Sequence, residues 1–203
     1  KGKNRFSDPE NTAKILKKAA RDSYRLDKIL YEPLNVAIAS SFNLVKALEG
    51  EIKTVDKAIE KTIKGINPNE YQSLISIPGI GSVLASGILS EIGTITSFDS
   101  NDALAKYAGL TWRVTQSGNY SSDTTRMTKT GNKYLRYYLI EAANSVKNHI
   151  PEYKEYYYKK YGEVTTHQHK RALALTSRKF VRLVFGLLTK NQIYSSHKVG
   201  EIN

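Results

Sequence analysis

The chain of 203 residues is 40% hydrophobic and 25% charged, and it has no cysteine, which excludes disulfides and thiolate metal sites. No apolar run approaches the roughly 18 residues of a membrane span, and no secretory leader is visible, so a membrane partner is not expected. Net charge is +12 and unevenly placed: residues 1–110 hold 15 Lys+Arg against 13 Asp+Glu, whereas residues 111–190 hold 15 against 5. Cations gathered in one segment attract polyanions and release counterions from them, which points to nucleic acid over a merely soluble basic surface.

The sequence opens on Lys1-Gly2-Lys3 and its one methionine is Met127, so a longer polypeptide is expected, with functional groups on the other part. Ser7-Asp8-Pro9-Glu10 reads as a helix start, either a Ser7–Glu10 capping box or an Asp8 cap with Pro9 at the first helical position. The basic helix that follows is expected to run to about Leu30, with Pro33 interrupting it or restarting a new one. From Tyr31, across Pro33, apolar residues recur every seven positions at Tyr31, Ile38, Val45, Ile52, Ile59 and Ile66. Leu34, Leu48 and Val55 fill the second core position of the heptad, and Ser41 and Thr62 break it. This spacing predicts a coiled-coil-like helical arm that joins copies of the chain; an ordinary long helix of one bundle is the alternative.

Residues 1–66 are thus expected to form a helical linker, 67–194 a compact helical domain, and 195–203 a flexible tail. The fold class is all-α. Helices are predicted at about 69–76, 81–92, 100–108, 131–149, 152–161 and 166–190, with Ser100 or Asn101 capping the third and Gly109 ending it. Residues 110–130 lack helical periodicity.

Five motifs bear on chemistry. Ile77-Pro78-Gly79-Ile80-Gly81 between two apolar helices resembles a helix-hairpin-helix, in which Gly79 and Gly81 let the backbone turn and helix amides meet a phosphate. A tight hairpin packed in the core is the competing reading. The loop from Gly109 to Tyr120 holds Trp112, Arg113 and the pair Ser117-Gly118, and Arg126, Lys129, Lys133 and Arg136 follow. A serine attacking a phosphodiester needs cations on the non-bridging oxygens, which Arg113, Lys129 and Arg136 offer, although by residue type a Ser-Gly pair reads first as a turn. Lys133 and Arg136 share a helix face, as do Arg171, Arg178 and Arg182, and both sets are candidates for gripping phosphates. The Tyr/Lys run 153–161 suits either nucleic-acid stacking or an amphipathic helix burying part of its tyrosines. Acidic residues after position 67 are scattered, and His167 and His169 have no nearby carboxylate, so no metal site is expected in this chain.

Taken in order, Ile77-Pro78-Gly79-Ile80-Gly81, Ala105-Lys106-Tyr107-Ala108-Gly109-Leu110, Gln116-Ser117-Gly118 and Lys129-Thr130-Gly131-Asn132-Lys133-Tyr134-Leu135-Arg136 resemble the C-terminal domain of insertion-sequence 110 transposases, relatives of the pilin-inversion recombinases. The likeness covers roughly residues 70–190. It implies a bacterial DNA transposase acting on the cytoplasmic nucleoid, with Ser117 as nucleophile; Ser121 and Ser122 are alternatives in the same loop. It also implies a separate N-terminal ribonuclease-H-like domain that holds a divalent metal such as magnesium, and in some members a structured guide RNA. The chain alone is then expected to be inactive. A non-catalytic DNA-binding and oligomerisation module is the rival function.

Overall fold

A computed structural model describes residues 6, 8–25, 27–113, 116–117, 120–121 and 126–196, the side chains at 116, 117, 120, 121 and 126 excepted. The fold is all-α, with eight helices and only two-residue strands among the described residues. The chain divides into two units, Lys1–Lys53 and Thr54–Asn203, with helix α2 (Lys28–Ile66) spanning the boundary.

In the first unit, α1 (Pro9–Asp22) starts as an Asp8 cap: its side chain accepts from the Asn11 amide at 2.9 Å and Pro9 takes the first turn, where a missing N–H costs nothing. Ser7 lies outside the described residues. The helix ends at Asp22 rather than near Leu30, and no residue of it is buried. Asp27 starts α2 afresh by accepting from the Ile29 amide at 3.0 Å. Pro33 falls inside α2, neither interrupting nor restarting it. It sits in the second turn, where its absent N–H orphans only the carbonyl of Ile29, a residue 82% exposed and open to water.

The second unit wraps around α8 (Gln168–Lys190), which packs on α3 (Pro68–Ile75), α5 (Asn101–Tyr107), α6 (Lys133–His149) and α7 (Pro151–Gly162). The spacing of Ala172, Thr176, Ser177, Phe180, Val181, Val184, Leu187 and Leu188 turns all of them inward. Phe180, Val181 and Val184 meet Leu74, Ile88, Leu104, Leu135, Leu139 and Val146, all essentially sealed from solvent. Each such side chain contributes about 1.5–3 kcal/mol of burial. The two buried hydroxyls of α8 are bonded: Thr176 donates to the Ala172 carbonyl at 2.8 Å, and Ser177 ties α8 to α6 through the Leu139 carbonyl at 3.4 Å. Tyr194 closes the unit, its amide donating to Ser76 Oγ at 2.7 Å.

The predicted helices of this unit appear within one or two residues of their expected ends. The segment 110–130 forms two short antiparallel pairs where the sequence showed no strand pattern. Trp112–Arg113 (β1) pairs with Arg126–Met127 (β4), and Gln116–Ser117 (β2) pairs with Tyr120–Ser121 (β3).

Candidate nucleic-acid interface

Pro78 and Gly81 form the tip between α3 and α4 (Ser82–Ile92). Ile77 and Ile80 point into the core, and the Ile80 amide bonds the Ile77 carbonyl at 3.0 Å. Gly79 has φ +95°, and a Cβ there would lie 2.7 Å from His149 Nδ1 and 3.0 Å from Ser145 Oγ. The Ser145 hydroxyl donates to the Gly79 carbonyl at 2.6 Å, so α6 grips this turn from behind. Gly79 is therefore spent on packing. Gly81 has open space around it and caps α4 without a side-chain bond.

Beside that helix start, the Glu60 carboxylate accepts from Tyr71 Oη at 2.9 Å and pairs with Lys64 at 2.6 Å. Hydrogen bonds from Lys64, then Tyr71, hold its carboxyl below the usual range, and Ser82 at the start of α4 adds a smaller contribution of the same sign.

A second construction joins the end of α5 to the start of α6. Ser100 caps α5 through the Ala103 amide at 3.2 Å, and Gly109 ends it at φ +70°. Gly131 stands at φ +91° just before Asn132, whose Oδ1 caps α6 by accepting from Tyr134 and Leu135 amides at 2.9 and 3.0 Å. The two glycine turns interlock backbone against backbone. A Cβ on Gly109 would lie 2.1 Å from the Thr130 oxygen, and one on Gly131 2.1 Å from the Tyr107 oxygen. The Asn132 amide donates to the Tyr107 carbonyl at 2.7 Å, and Asn132 Nδ2 reaches Glu91 on α4 at 2.7 Å. Arg136 Nη1 donates to both the Ala108 and Lys129 carbonyls, at 3.0 and 3.1 Å.

From this junction the β1–β4 ladder runs outward. The Thr128 amide bonds the Thr111 carbonyl at 2.8 Å, the two threonine hydroxyls meet at 3.0 Å, and Trp112 and Arg113 register with Met127 and Arg126. Ser117 lies in β2, with Tyr120 as its register partner; its side chain and that of Arg126 are outside the described set, as is Ser122.

The predicted cations fall into two groups. Arg113, Lys129 and Lys133 are exposed, with Lys133 Nζ over the Tyr134 ring at 4.9 Å and Lys129 at φ +53°. Arg136, Arg171 and Arg178 are occupied internally. Arg171 bonds Glu163 at 3.0 and 3.1 Å and the Lys160 carbonyl at 3.1 Å, linking α8 to the end of α7. Hydrogen bonds from Lys160 and Arg171 keep the Glu163 carboxyl below the usual range. Arg178, with a side chain only 16% exposed, pairs with Asp102 and donates to Asn101 Oδ1 at 3.2 Å. Sequence spacing had placed Arg171, Arg178 and Arg182 together, and of these Arg182 is exposed.

Among the tyrosines of α7, Tyr153 and Tyr157 are buried and Tyr158 is 60% exposed, as an amphipathic helix requires. Burial pushes the Tyr153 and Tyr157 phenols above their ordinary value, which disfavours a phenolate nucleophile. Tyr157 Oη sits 2.7 Å from His169 Nδ1, and Lys179 lies over both Tyr153 and Tyr156 at 5.1 and 4.8 Å. No three His, Asp or Glu side chains converge as a metal set among the described residues.

The sequence model of the Transposase IS116/IS110/IS902 family matches residues 71–158, from α3 to the middle of α7 and through both interlocked turns. Over those residues the chain is similar to that transposase family. The transposase of insertion sequence element IS1111A from Coxiella burnetii is 27% identical over 183 residues, 82% of this chain and 50% of that protein. The 44.8 kDa protein of insertion element IS116 from Streptomyces clavuligerus is 26% identical over 149 residues, 73% of this chain and 36% of the relative. A 43.6 kDa protein of insertion element IS110 from Streptomyces coelicolor is 30% identical over 123 residues, 61% of this chain and 30% of its own length. The chain thus spans about a third to a half of the length of these curated relatives.

No sequence pattern marks Glu91, Asn132 and Gly131 as parts of one junction. Asn132 was legible as a helix cap between Gly131 and Lys133. Its bond to Glu91, 41 positions away, was not.

Proposed function

We propose that this transposase domain is the DNA-handling part of a longer recombinase and that Ser117 is its nucleophile. The observation that carries the reading is the family match over 71–158, which contains the Ser117 loop and the basic start of α6. In the reaction, Ser117 Oγ forms a bond to the scissile phosphorus. The P–O bond to the deoxyribose breaks, the serine proton leaves to a base, and the departing oxygen takes a proton as a free hydroxyl. The phosphoserine ester conserves the bond for attack by a second strand.

Exposed Arg113, Lys129 and Lys133 neutralise the backbone phosphates. Arg113 is the backbone register partner of Arg126. Gly81, uncovered at the start of α4, offers a further backbone contact. In this reading a divalent metal such as magnesium belongs to the separate domain, as the family resemblance implies. DNA, a structured guide RNA and a second copy of the chain along the apolar stripe of α2 are the proposed partners.

The test uses the full-length polypeptide and a nicked duplex that traps covalent intermediates. Wild type should give a protein–DNA adduct that survives denaturing electrophoresis, and Ser117→Ala should bind DNA but give none. An adduct of ordinary yield from Ser117→Ala would return the chain to a binding module, or pass the role to Ser121 or Ser122.

A further inference from the structure

The interlocked turns at Gly109 and Gly131 stand where the polypeptide leaves α5 for the Ser117 loop and returns to α6. Three features there exceed what a simple connection needs. Both glycines adopt left-handed backbone, and at each a Cβ would collide with the opposing main chain at 2.1 Å. One nitrogen of Arg136 satisfies a carbonyl from each turn, Ala108 on one side and Lys129 on the other. Asn132 then ties the same point to the Tyr107 carbonyl, the α6 N-terminus and Glu91 of α4.

The consequence is mechanical. The loop enters and leaves through one point that three helices share, and the β1–β4 ladder begins at Trp112, three residues beyond Gly109. In-line attack tolerates little displacement of a nucleophile, and a shift of about 1 Å costs on the order of 10²-fold in rate. A rigid base is what such a loop requires.

We propose that Arg136, Asn132 and Glu91, acting through the interlocked Gly109 and Gly131 turns, form a clamp that positions the Ser117 loop. Arg136 is then a positioning residue, held by two carbonyls rather than by a DNA phosphate. The inference rests on the Ser117 reading for what the clamp serves, and stands by itself for what the clamp holds.

Charge separates the two roles of Arg136. A phosphate contact contributes about 0.9 to the slope of log affinity against log salt, and a clamp contributes nothing. In the full-length polypeptide, Arg136→Gln should leave the salt slope unchanged and slow adduct formation by about 10²-fold. The Thr128 and Asn132 amides should exchange with deuterium faster while the α8 amides keep their protection. Glu91→Ala is the second variant. It removes a negative charge, so electrostatics alone would favour DNA binding, yet it should slow adduct formation in the same direction.

A slope reduced by about 0.9 in Arg136→Gln, with Thr128 and Asn132 amides still protected, would overturn the clamp in favour of direct phosphate contact. Adduct formation at the wild-type rate in Glu91→Ala would overturn it as well. If Arg136→Gln unfolds, shown by deprotected α8 amides, Glu91→Ala decides alone. The nucleophile is judged separately by Ser117→Ala: an adduct there removes Ser117, and the exchange data still judge the clamp.

Discussion

Helices α2 and α8 both repeat branched apolar residues at helical spacing, and the repeats end in opposite environments. In α8, Phe180, Val181, Val184 and Leu188 are at most 4% exposed. In α2, Ile38, Val45, Leu48 and Ile52 stand 51–59% exposed. The spacing is a property of the strip of sequence, whereas cover is a property of what packs against it. α8 finds four helices inside its own unit. Among the described residues nothing covers the α2 stripe at Ile38, Val45, Leu48 and Ile52, and its heptad register is the geometry that a partner helix would read.

The sharpest way to test this contrast is to remove a core side chain from α8. Phe180→Ala should destabilise the Thr54–Asn203 unit by about 3–5 kcal/mol, read from the midpoint shift of urea denaturation. Val45→Ser with Ile52→Ser should leave that transition within about 0.5 kcal/mol of wild type, as expected of exposed positions. The same pair should abolish self-association in sedimentation. A loss of unit stability comparable to that of Phe180→Ala would show that the stripe is covered within the chain after all.

The cations repeat the contrast at smaller scale. Arg178→Ala leaves Asn101 and Asp102 without their partner and should cost about 1–2 kcal/mol, whereas Lys133→Ala should cost less than about 0.5 kcal/mol in stability. For DNA affinity the order should reverse, with Lys133→Ala lowering the salt slope by about 0.9 and Arg178→Ala leaving it unchanged.

The smallest effect concerns pH. The Glu163 carboxyl is lowered in the folded state by Lys160 and then Arg171, so its contribution is complete above the ordinary carboxylate value. It disappears as pH falls through the lowered value. In Glu163→Gln the acid limb of the stability profile should therefore be flatter below about pH 4.5 than in wild type.

Much of the compact unit was legible in the sequence because its signals are local. Ser100 caps, Gly109 terminates, and apolar periodicity runs between those marks. The same local reading went wrong around Leu30 and Pro33. There a proline one turn inside a solvent-exposed helix cost less than expected, and Asp27 supplied a start that propensity had not singled out. The candidate site was less legible. Spacing placed Arg171 and Arg178 on one basic face, but their acids, Glu163 and Asp102, lie 8 and 76 residues away and became partners only through packing.

What the sequence by itself determined was the helical class, the turns and caps, the position of the basic half and the motif order shared with a transposase family. All of these depend on residues within a few positions of each other, or on totals along the chain. The tertiary structure alone decided which stripe became core, which arginines were already occupied, and that Gly109 and Gly131 meet. Those outcomes depend on groups from eight to many tens of residues apart coming into contact, a condition that no local pattern encodes.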